Sequence, residues 1–155
     1  MQRRSTFRFW QRWLVVASGA TVLFGLLMAL GSGTWLFESY LSHVDQAFWP
    51  AGRPAGADAF YRWIFAVLGS SIAGWGVALT WIAHGPFGRR ERWAQRCFLL
   101  SLATWVLIDS GFSWHFGVHQ EVLFNAAAVL LVGAPLVATR RAFRRRSGKD
   151  DDLPA

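Results

Sequence analysis

Residues 95–116, QRCFLLSLATWVLIDSGFSWHF, decide how the chain is read. At 1.5 Å per residue this apolar run spans the ~30 Å hydrocarbon core of a bilayer as one helix. A carboxylate, Asp109, lies inside it. A charged side chain at the centre of such a helix costs about 2.5–3.5 kcal/mol on insertion scales, so it calls for a partner or a use.

Working outward, two further runs of this kind flank the stretch and a fourth stands near the N-terminus. Residues 13–30 form an eighteen-residue apolar run behind Arg3, Arg4, Arg8 and Arg12. The run is longer than the 7–15 residues of a signal-peptide core, so a retained span is expected. Residues 60–83 make the second span, stopped by Gly85-Pro86, and residues 121–139 make the fourth. Only a few residues separate spans three and four, which must form an antiparallel hairpin. Between spans one and two, Leu36, Phe37, Tyr40, Leu41, Val44 and Phe48 recur at three- and four-residue spacing, with Glu38, Ser39, Ser42, Asp45 and Gln46 opposite them. This is an amphipathic helix too short to cross.

The expected architecture is therefore all-α: a four-helix transmembrane bundle with an additional amphipathic interfacial helix, about 35–49, between spans one and two. Residues 1–12 are read as a basic cytoplasmic N-terminus. Residues 140–155, basic and then acidic, lack core-forming residues and are expected to be a disordered cytoplasmic tail.

Composition agrees with this class. The chain has 155 residues, 54% of them hydrophobic, with 13 Phe and 10 Trp, which is richer than a soluble domain needs. The single cysteine, Cys97, excludes an intramolecular disulfide or a cysteine-based zinc cage. Although the net charge is +7, the arginines stand at the ends of apolar segments and no nucleic-acid-binding motif accompanies them. Anionic lipid headgroups are the expected counter-charge. Fourteen of the sixteen Lys and Arg residues fall in the N-terminal segment, the 85–96 loop and the C-terminal segment. By the positive-inside rule both termini are expected in the cytoplasm of a bacterial plasma membrane.

Candidate site residues follow from depth. Asp109 lies about five residues from the end of span three and Asn125 about four residues into span four, so the hairpin brings them level. Ser101, Trp105, Asp109 and Ser113 follow four-residue steps and share a face of span three. Burial and the nearby helix C-terminus both disfavour an anion, so Asp109 is expected to be protonated or paired with Arg62. The functional reading is a cavity lined by Asp109, Asn125, Ser113 and Trp105 that binds a small hydrophobic or protonated ligand. The bland reading is a hydrogen-bonded pair that holds two helices in register. In span two, Ala66, Ser70, Gly74 and Ala78 form a row of small residues expected to pack against another helix, in this bundle or in a second chain. His115, His119 and Glu121 are weak metal candidates because Gly117 interrupts the helix that would align them. No metal or other cofactor is expected.

No catalytic motif is present, and the chain is not expected to be an enzyme. The first functional expectation is a scaffold or accessory subunit acting through helix contacts, with a membrane-protein partner or a second copy of itself. The alternative is a binding or carrier protein.

The stretch 61–97, YRWIFAVLGSSIAGWGVALTWIAHGPFGRRERWAQRC, resembles small bacterial four-span integral membrane proteins with no assigned activity. The likeness extends through Asp109-Ser110-Gly111 and the Asn125 region. It implies the four-span fold and carries no activity, cofactor or site.

Overall fold

A computed structural model of the chain describes residues 2–150, with side chains for residues 5–143. It is all-helical: α1 (Gln2–Gly31), α2 (Trp35–Phe48), α3 (Ala57–His84), α4 (Arg92–His115) and α5 (His119–Asp150). All but α2 are long and apolar enough to cross a membrane, which makes this a multi-pass membrane protein. At 14 residues, α2 is too short to do so.

Helix α1 already begins at Gln2, and Phe7 is buried in the core. Helix α5 runs on to Asp150, into the segment expected to be a tail; residues 151–155 lie outside the described residues. The reason is that residues 140–146 hold good helix formers and no breaker, while Phe143 is 2% exposed and anchors the extension.

Helix α1 is central and packs on both α3 and α5, and α5 also packs on α4. Helices α3 and α4 barely touch. The α1–α3 seam is built on glycine. A Cβ added at Gly69 would lie 2.5 Å from the Ala29 nitrogen and the Gly25 oxygen, and one at Gly76 would lie 2.7 Å from the Val22 nitrogen. Only residues without a side chain allow this approach, and close approach drives helix association in lipid.

The row expected to pack against a helix of this bundle or of a second chain faces outward from this bundle. Ser70, Gly74 and Ala78 are exposed, Ala66 is half-buried, and nothing lies within 4 Å of a Cβ built at Gly74. The row that packs is Gly69, Ala73 and Gly76, matched on α1 by Gly25 and Ala29.

At the end of the bundle that carries the termini, Phe87 from the α3–α4 loop is fully buried. Its ring lies 5.0 Å from Phe143, 6.0 Å from Phe7 and 6.0 Å from Phe98. The loop is a plug as well as a connector. Gln11 Nε2 donates to the last carbonyls of α3, Ala83 at 3.4 Å and His84 at 3.2 Å, groups with no partner of their own within the helix. Pro135, inside α5, cannot donate to the carbonyl of Leu131; Trp13 Nε1 on α1 donates to that carbonyl at 2.9 Å instead. At the opposite end, α2 lays Leu41, Phe37, Tyr40 and Val44 against Tyr61 and Phe65.

Candidate functional site

The splay between α3 and α4 leaves a groove of about 710 Å³ lined by Trp75, Leu100, Ser101, Thr104, Trp105, Ile108, Asp109 and Phe112. One face of α4 supplies all of these except Trp75, because residues at three- and four-residue spacing share a helix face. The Trp75 and Trp105 rings meet at 6.0 Å and form the only close aromatic pair between the two helices among the described residues.

Asp109 stands on the groove wall toward the α2 end, and its carboxylate is held from behind. Asn125 on α5 is 0% exposed; its Nδ2 donates to Asp109 Oδ2 at 2.5 Å and to Ser110 Oγ at 3.0 Å. The hairpin turn sets this register through Gly117, whose φ of 78° is left-handed and favours glycine. Asn125 Oδ1 is buried with no hydrogen-bond partner. Turning the amide over would set its oxygen against the Asp109 carboxylate and leave an orphan donor in place of the orphan acceptor; an unmet buried group costs about 1–3 kcal/mol.

Two more groups close this polar cluster. Tyr40 on α2 and Glu121 on α5 lie near enough to interact electrostatically, and so do Glu121 and Asp109. Burial first, and then the charge of Glu121, hold the Tyr40 hydroxyl above its ordinary range. Asp109, Ser110, Glu121, Asn125 and Tyr40 thus bring two carboxylates, an amide and two hydroxyls from three helices to one place.

The residues expected at the site divide accordingly. Asp109 and Trp105 line the groove, and Asn125 lies behind Asp109. Ser113, one turn further along, is half-buried and does not line the groove; its carbonyl accepts the Val118 amide at 2.8 Å in the hairpin turn. Arg62 does not pair with Asp109. It lines a separate cleft of about 360 Å³ with Ser32, Thr34, Asp45, Asp58 and Tyr61, near the α1–α2 turn. The reason is helical phase, since Arg62 projects toward Gly33 whereas Asp109 projects toward α5.

The imidazoles of His119 and His115 pack on Trp114 at 4.7 Å and on Phe116 at 5.0 Å. No group of three or more His, Cys, Asp or Glu side chains is gathered among the described residues, so His115, His119 and Glu121 are not brought together as metal ligands. Sequence reasoning missed Tyr40 and Ser110. Ser110 is adjacent to Asp109, and a tyrosine on the apolar stripe of an amphipathic helix signals a hydroxyl in need of a partner.

No family model, no curated protein and no solved structure matches the chain.

Proposed function

We propose that this chain is a multi-pass protein of a bacterial plasma membrane that binds a small apolar or amphiphilic molecule in the α3–α4 groove, with Asp109 as its polar anchor. One observation carries the reading: a carboxylate, fixed from behind by a fully buried amide, faces a mainly apolar groove of about 710 Å³ whose other polar groups are the neutral side chains of Ser101, Thr104 and the two tryptophans. That volume lies within the ~300–1,000 Å³ of small-molecule sites, and an ionisable group within a span is by default a functional candidate. Binding is preferred to catalysis because no catalytic motif accompanies the carboxylate. The concentration of basic residues at one end supports cytoplasmic termini in contact with anionic headgroups, an orientation in which α2 and the Asp109 cluster would lie toward the outer leaflet. Trp35 and Leu36, exposed on α2, suit an interfacial helix there.

Released from native-lipid nanodiscs into a mass spectrometer, the protein is expected to carry a stoichiometric small-molecule adduct. Ile108→Trp, which fills the groove, should remove it. A bare wild-type chain, or an adduct unaffected by Ile108→Trp, would refute the reading. Alkaline phosphatase fused after Ala51 should be active and after Arg90 inactive; the reverse would overturn the orientation.

A second reading, a scaffold or accessory subunit acting through helix contacts, is favoured by the exposed row Ser70, Gly74 and Ala78. Under it, Gly74→Cys would cross-link in membranes to a second copy or to another membrane protein.

A further inference from the structure

We infer that the molecule taken up by the groove is an amphiphile with a protonated primary or secondary amine as its head, a statement that rests on the groove being a binding site. The argument starts from the sign of the anchor. Asp109 and Glu121 bring two carboxylates together, and the other groups around them are the Asn125 amide and the hydroxyls of Ser110 and Tyr40. None of these groups and none of the groove-lining residues is Lys, Arg or His. Arg62 lines the other cleft, and His115 and His119 lie against aromatic rings. An anionic head would be repelled here. A neutral hydroxyl would gain a hydrogen bond, whereas a cation would make a charge-assisted bond to the Asp109 carboxylate and would also be attracted by Glu121.

Unfilled acceptors then narrow the class of cation. Asp109 Oδ2 is taken by Asn125, while Asp109 Oδ1 accepts no hydrogen bond among the described residues, and Asn125 Oδ1 is buried without a donor. The open Asp109 Oδ1 on the groove wall asks for an N–H group, which an ammonium has and a quaternary nitrogen lacks. The Trp75–Trp105 pair beside Asp109 offers ring faces that further favour a cation. Leu100, Ile108 and Phe112 make the remaining wall mainly apolar, with Ser101 and Thr104 as its hydroxyls, and from Asp109 to Leu100 it runs about 13 Å along α4 at 1.5 Å per residue. That length calls for an alkyl tail. Asn125 acts as a positioning residue, since it orients the carboxylate rather than meeting the ligand through the amide nitrogen.

The test uses the full chain in phosphatidylcholine nanodiscs and three probes with the same tail: dodecylamine, dodecyltrimethylammonium and dodecanol. Bound stoichiometry is read by native mass spectrometry over a concentration series. Dodecylamine is expected to bind at least tenfold more tightly than dodecanol, with the trimethylammonium compound between them. Asp109→Asn should erase the preference for amine over alcohol. Glu121→Gln should reduce it several-fold, and it serves if Asp109→Asn fails to fold by size exclusion. Gly74→Ala, on the exposed face, should bind as wild type does. Equal binding of amine and alcohol would overturn the inference while leaving the groove as a binding site. Binding of none of the probes, or binding unaffected by Ile108→Trp, would overturn the groove reading itself. An amine preference that survives both carboxylate variants would place the head elsewhere and overturn the inference.

Discussion

Helix α3 treats its two neighbours in opposite ways. Toward α1 it presents Gly69, Ala73 and Gly76, and the two backbones come into contact. Toward α4 it presents Trp75, which meets Trp105 at 6.0 Å and leaves an open groove. Both sides are apolar, so hydrophobicity does not separate them. In lipid, an apolar side chain gains little from exchanging acyl tails for another helix, and contact follows backbone access and hydrogen bonding. Glycine closes one seam, and two indoles prop the other open.

The largest effect is expected where that contrast is attacked directly. Gly69→Val would drive a branched side chain into the backbone of Ala29 and Gly25, atoms that cannot swing aside. Overpacking of this kind costs typically 1–3 kcal/mol and more where backbone must move, so a loss of about 3 kcal/mol or failure to fold is expected. Gly74→Val, five residues along the same helix, meets nothing within 4 Å. It should change detergent-solubilised thermal stability by less than about 0.5 kcal/mol, the range for surface changes. Equal losses at the two positions would mean that the outward row is packed against a partner, in favour of the helix-contact reading.

This pair of glycines also marks where the sequence could be read and where it could not. The spans, the hairpin and the level pairing of Asp109 with Asn125 follow from counting residues at 1.5 Å each, because helix length and bilayer thickness constrain them strongly. The packing face of α3 did not follow. Two small-residue rows lie on that helix, 66/70/74/78 and 69/73/76, and spacing alone cannot rank them. The discriminating feature is the complementary Gly25 and Ala29 on α1, a long-range match that the strict four-residue period of the first row obscured. Arg62 failed for a related reason, since depth placed it at the correct end of the bundle but rotation about the helix axis turned it toward the α1–α2 turn. Tyr40 was invisible because its partner, Glu121, is 81 residues away in the chain.

Two intermediate effects sharpen the role of hydrogen bonds beside the glycine seam. Asn125→Ala removes both donations across α4–α5 and leaves Asp109 without its partner, while also deleting the orphan Oδ1. A net loss of about 1–2 kcal/mol is expected from the cost of an unmet buried group. No loss would mean that the amide contributes nothing to the hairpin. Trp13→Phe removes the bond to the Leu131 carbonyl and should cost about 0.6–1 kcal/mol, as interhelical bonds in membranes do. In a Pro135→Ala background that carbonyl regains an in-helix donor, so Trp13→Phe should then cost close to nothing. A double-mutant cycle with no coupling would show that the indole bond does not substitute for the bond missing at Pro135.

The smallest effect belongs to the clamp that holds α2, where charge replaces packing. Arg53 in the α2–α3 connector donates to both Asp45 and Asp58; Tyr61 donates to Asp45 at 3.1 Å, and Trp49 Nε1 donates to the Tyr61 hydroxyl at 2.8 Å. The Arg53 bonds hold the Asp45 carboxyl below its ordinary value. A folded-state value lowered in this way gives stabilisation that is present above the unfolded value of about 3.9 and is lost as pH falls through the folded value. Hydrogen exchange in residues 35–58 should therefore be flat from neutral pH down to about 4 once corrected for intrinsic rate, and should quicken only below that. Arg53→Ala should reproduce the faster exchange at neutral pH, and the α1–α3 seam should remain protected in both cases. The Arg53 ion pairs of the clamp are solvent-exposed and screened, so the change belongs to α2 and not to the bundle. Quickening that begins well above pH 5 would show that a group other than Asp45 governs α2. Because Tyr40 reaches Glu121 from the same helix, loosening that spreads to the Asp109 cluster would make α2 part of the binding site rather than its cover.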